Sequence, residues 1–131
     1  MKLRKFLIEH KDRVIGTKPK EGDVTAWANN VNNVLFSFAS NKPTQFGTYQ
    51  YQMYEDIDEM LAYYQDDIYE LCKVLDGDGI TRLAQTMYLL KTANYENIWW
   101  RIENRVHELA EEKQGLDAYN VVNILRSFSR S

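Results

Sequence analysis

At 131 residues, with 44% apolar and 27% charged side chains, the chain has material for one domain with a sizeable core. No run approaches the ~18 apolar residues of a membrane span, and the single cysteine, Cys72, excludes an internal disulfide and points to a reducing compartment. The net charge of −3 is unevenly spread: residues 1–22 carry +4 and the remainder −7, so a basic arm precedes an acidic body.

The arm, residues 1–22, opens "MKLRKFLIEH", with cationic and apolar residues at helical spacing. A cleaved mitochondrial leader is poor in acids and rich in serine. This segment has Glu9 and Asp12 and no serine, which argues for a retained arm. Phe6, Leu7 and Ile8 give it an apolar anchor that the arm alone cannot bury, so it is expected to stand outside the core and grip another protein.

The rest, 23–131, reads as helix throughout, because apolar residues recur every three or four positions and nowhere alternate. The first helix, A1, spans 24–41, with Asp23 before it and Pro43 beyond it. The next, B1, spans 46–75 on the stripe Met53, Ile57, Met60/Leu61, Tyr64, Ile68, Leu71/Cys72, Leu75. Unbroken, it would be roughly 45 Å long. Gly77 and Gly79 separate it from A2, 79–93, for which Asp78 is the expected N-cap. The stripe Ile98, Ile102, Val106, Leu109 marks B2, 95–113. Gly115 and a capping Asp117 introduce A3, 117–131.

The A helices repeat one another. "VNNVLFSFASN" (31–41) and "VVNILRSFSRS" (121–131) are identical at five of eleven positions. "LAQTMYLLKTA" (83–93) matches both in its apolar positions and places Gln85 where they have Asn33 and Asn123. "QYQMYEDIDEML" (50–61) aligns likewise with "WWRIENRVHELA" (99–110). The pattern predicts a tandem array of antiparallel helix pairs with a unit near 38 residues, a short α-solenoid. Leu35, Met87 and Leu125 are expected at equivalent buried positions.

The unit length and the "x-N-x-L-x-S-F-x" helix resemble the degenerate helical-hairpin repeats of organellar proteins: the octotricopeptide and heptatricopeptide classes and the repeat region of FAST-kinase-type proteins. That resemblance implies a mitochondrial or plastid setting and either RNA binding or a supernumerary place in a ribosome or respiratory complex.

No chemistry assembles. With Gly79 at position 6 of an EF-hand loop, position 1 is Val74 and position 12 is Gln85, so two main calcium ligands are missing. Glu103 and His107 form one i,i+4 pair with no second pair at matching spacing. Cys72 lies on the buried stripe of B1. No nucleophile–base set and no phosphate loop is present, so neither catalysis nor a cofactor or metal is expected. Aromatics reach 13% and cluster in "YQYQMY" and "NYENIWW", more than a thin two-layer array buries. Tyr49, Tyr51, Tyr54, Trp100 and Phe128 join Phe6, Leu7 and Ile8 as candidate partner contacts.

The expected function is a non-enzymatic scaffold subunit of a large mitochondrial assembly: respiratory chain, ATP synthase or ribosome. An organellar RNA-binding protein is the alternative, opposed by the acidic body because phosphate binding needs a basic stripe. A cytoplasmic or cytoskeletal adaptor is the third.

Overall fold

The computed structural model describes the backbone of residues 8–40, 49–92 and 95–130, with the side chains of these residues except 12, 14, 49–57 and 130. Among the described residues the protein is all α. A short helix α1 (Lys11–Ile15) precedes α2 (Thr25–Ser40), α3 (Tyr49–Val74), α4 (Gly77–Leu89), α5 (Glu96–Ala110) and α6 (Ala118–Arg130).

The helix ends follow from local hydrogen bonding. Asp23 accepts from the Thr25 amide at 2.8 Å and also from its hydroxyl, which fixes the entry to α2. At α4 the cap is Asp76, not the expected Asp78: its carboxylate accepts from the Gly79 amide at 2.8 Å. Either aspartate of "DGDG" could serve. The helix starts two residues early because Asp78 is engaged by a different helix, as described below. α4 also stops short of its predicted end. The Thr92 amide reaches the Met87 carbonyl and the Lys91 amide that of Tyr88, a Schellman closure with Lys91 at φ 57° where glycine is usual. At α6, Asp117 and Asn120 exchange two bonds: each side chain accepts from the other's amide, at 2.8 and 3.1 Å.

Packing places α4 between α2 and α6, and α5 beside α3; the sequential pairs α2–α3 and α4–α5 also touch. The shared core holds Leu35, Phe38, Leu61, Tyr64, Ile68, Leu71, Leu83, Met87 and Ile102, all essentially inaccessible. Each such side chain contributes about 1.5–3 kcal/mol by leaving water. Arg105 of α5 donates to the Leu75 carbonyl at 2.8 Å, placing a cation at the C-terminal end of α3.

Two expectations are corrected. Leu35 and Met87 are buried as predicted, but Leu125 is exposed. α6 has α4 on one side and no following helix among the described residues, so the half of its apolar arc that bears Leu125 goes uncovered. The arm, in its described part, does not stand off either. Ile15 is buried in the core, Lys11 pairs with Asp67, and Lys18 pairs with Glu70 at 3.0 Å. Exposed ion pairs alone contribute too little to order such a segment. Burial of Ile15 supplies the remainder.

Candidate partner-binding surface

Helix α6 is built inside out. Asn120 and Ser127 are buried and Asn123 is half-buried, while Val121, Val122 and Leu125 are 42%, 52% and 63% exposed. Its inward polar side is satisfied by specific partners. Asn120 donates to the Asp78 carboxylate at 3.0 Å, Gln85 donates to Asn123 at 3.4 Å, and the Ser127 hydroxyl donates to the Asn123 carbonyl. Ile124 and Phe128 are the apolar contacts that seal this side, Phe128 lying 4.9 Å from the Trp99 ring. Trp99 is itself fixed by an indole hydrogen bond to the Thr92 carbonyl at 2.9 Å. The outward side is a stripe at positions 121, 122 and 125, continued by Tyr119 at 65% exposure. Burying amides while leaving valine and leucine in water reverses the usual distribution, which makes the stripe a candidate contact surface.

The seam between α2, α4 and α6 is polar. It opens into a cleft of about 390 Å³ lined by Asn29, Asn33, Asp76, Arg82, Gln85 and Tyr119 among others. Asn33, Gln85 and Asn123, the amides at the repeated position, all belong to this seam. Asn32 is buried there and donates to the Gly79 carbonyl at 3.0 Å. The two aspartates of the Asp76–Gly79 turn are engaged, Asp76 as the α4 cap and Asp78 by Asn120. Among the described residues, no three His, Cys, Asp or Glu side chains come together as a metal site.

Two groups are held in their protonated form by burial. Burial pushes the Cys72 thiol up to about 12, with Arg101 opposing slightly, so it stays a thiol. Burial also raises Tyr95, and its hydrogen bond to Asp58 raises it further, which keeps the phenol protonated. His107 and Glu103 are an exposed pair at 3.7 Å.

The residues singled out from sequence divide as follows. Phe6 and Leu7 lie outside the described residues, as do the side chains of Tyr49, Tyr51 and Tyr54 on α3. Ile8 is half-buried beside Glu9, His10 and Tyr63. Trp100 is 59% exposed, on α5, with the Arg101 guanidinium 6.0 Å from its ring and that same guanidinium 3.9 Å from the Tyr69 ring. Phe128 packs inward against Trp99, whereas the exposed stripe is formed by Tyr119, Val121 and Val122, none of them expected as partner contacts, and by Leu125, expected in the core. The signal was present as the breadth of the apolar arc on α6. Periodicity gives that breadth but not which half is covered. Among the described residues no helix is long and apolar enough to cross a membrane. Comparison with protein-family models, curated proteins and solved structures finds no match.

Proposed function

We propose that this chain is a non-enzymatic structural subunit of a large protein assembly, in which its helices act as a short array of stacked antiparallel pairs. The observation that carries the reading is the outward apolar stripe of α6. In α2 and α4 the aligned positions (Val31, Asn32 and Leu35; Leu83, Ala84 and Met87) are all buried. In α6 the same three positions face water. In a stacked array such a face is one onto which a further surface packs, and here that surface belongs to a partner. The order of contacts, α2–α4–α6 in one row and α3–α5 in the other, supports the stacked arrangement. The exposed Trp100 adds a second contact of the kind enriched at protein interfaces. The organellar resemblance of the repeated helix favours a mitochondrial assembly.

The test is native electrophoresis of the endogenous protein after mild solubilisation, with and without Leu125→Asp. The protein is expected to migrate within a multi-subunit complex and to be released by the substitution. Migration of the wild-type chain at its own mass would sink the reading. Retention lost with rising salt or on ribonuclease treatment would move it to RNA binding.

A further inference from the structure

We propose that the occupant of the α6 stripe is a second copy of this chain, docked across a two-fold axis with the two α6 helices antiparallel. The inference rests on the reading of α6 as a protein-binding face and goes on to say what binds it.

Two observations point the same way. First, the stripe has no apolar complement elsewhere among the described residues. The other large exposed apolar side chains are Tyr63 on α3 and Trp100 on α5, single rings on separate helices. The opposite end of the row, at α2, is covered by α1, with Ile15 buried and Lys18 over the Trp27 ring. A head-to-tail contact needs two different complementary faces, whereas a two-fold contact needs one self-complementary face. Second, charge along α6 is polarised. Its N-terminal side carries Asp117, with Glu111 and Glu112 outnumbering Lys113 just before it, and its last turns carry Arg126. Antiparallel self-pairing sets each Arg126 near the other copy's acidic end, and the helix dipoles oppose. A parallel mate of like polarity would set like charges together.

Antiparallel pairing centred on Val122 brings Val122 against its own mate and Leu125 against Tyr119 of the other copy. Helix α6 has 13 residues and is about 20 Å long. The contact therefore falls at the small end of specific interfaces, and dissociation in the micromolar range is expected.

Sedimentation of the full chain from about 1 to 200 µM tests this across the expected dissociation range. The mass should rise from one chain of 15.5 kDa to two. Leu125→Asp should hold it at one chain with an unchanged helical circular dichroism spectrum, since Leu125 is exposed. Val122→Cys should form an interchain disulfide on mild oxidation, while Asn104→Cys, exposed on α5, should not. A wild-type chain that stays at one mass at the highest concentration overturns the proposal, as does a dimer that survives Leu125→Asp or crosslinks equally through both cysteines. If the chain is monomeric yet Leu125→Asp still releases it from its native complex, the occupant is another protein. The self-pairing then fails while the assembly reading stands. If it is monomeric and the substitution releases nothing, both fail.

Discussion

Gly77 and Gly115 touch through their backbones: a Cβ built at 77 would stand 2.3 Å from the Gly115 carbonyl oxygen and 2.8 Å from Asn120 Oδ1. The first turn of α4 and the loop before α6 are thereby in direct contact, which lets Asn120 reach Asp78. Both glycines read from sequence as helix breaks. Gly77 instead lies inside α4 and serves close approach. Gly77→Ala gains up to about 1 kcal/mol of helix propensity, but the obstructing atom is backbone and cannot rotate away. The net expectation is destabilisation of roughly 1–3 kcal/mol in a denaturant titration. Gly79→Ala, whose nearest obstacle is the Leu75 side chain at 2.8 Å, should cost less. Equal losses would mean that the interhelix contact is not what constrains position 77.

The aligned positions 35, 87 and 125 should respond unequally to truncation. Met87→Ala and Leu35→Ala empty filled core sites and should each cost about 2–5 kcal/mol. Leu125→Ala, measured at dilute concentration, should fall within about 0.5 kcal/mol of wild type, as exposed sites do. Comparable losses at all three would place Leu125 in the core and overturn the register of α6.

Lys91 holds a left-handed conformation that costs a side-chain-bearing residue roughly 1–2 kcal/mol. Lys91→Gly should therefore raise stability, by about 1 kcal/mol after its larger unfolded-state entropy is subtracted. A lower thermal midpoint for Lys91→Gly would show that the Schellman closure is not formed.

Cys72 should resist alkylation. Its thiol is buried and raised to about 12, so little thiolate forms at neutral pH. Iodoacetamide should modify the native protein far more slowly than the denatured protein. Equal rates would mean that the α3–α5 packing opens freely.

Glu70 lies below its ordinary range chiefly through the Lys18 hydrogen bond. A carboxylate lowered on folding contributes stability that is present above its unfolded value and lost as pH falls through the folded one. Lys18→Ala should thus lower the melting temperature slightly at pH 7, and the gap should close on the acid side of the ordinary glutamate range. The effect is small because the pair is near the surface. A gap that persists in acid would assign the Lys18 effect to its packing over Trp27 instead.

The sequence by itself determined the helical class, the five long helices and most of the core. Spacing of Met60, Tyr64, Ile68 and Leu71 or of Ile98 and Ile102 leaves one buried face, and all these residues are buried. Repetition of the A-helix motif aligned Val31, Leu83 and Val121 with one another. What it could not determine was which of the aligned positions are covered. Val31, Leu83 and Val121 share one local pattern, yet coverage depends on whether another helix follows, and that is a property of neighbours and not of the segment. The cap at Asp76 was hidden for the same reason. Two aspartates two residues apart are locally interchangeable, and Asn120, 42 residues away, takes Asp78. The tertiary structure decided that α6 turns its amides inward and its valines and leucine outward. The amides find Asp78 and Gln85 on α4, and the apolar side stays exposed among the described residues.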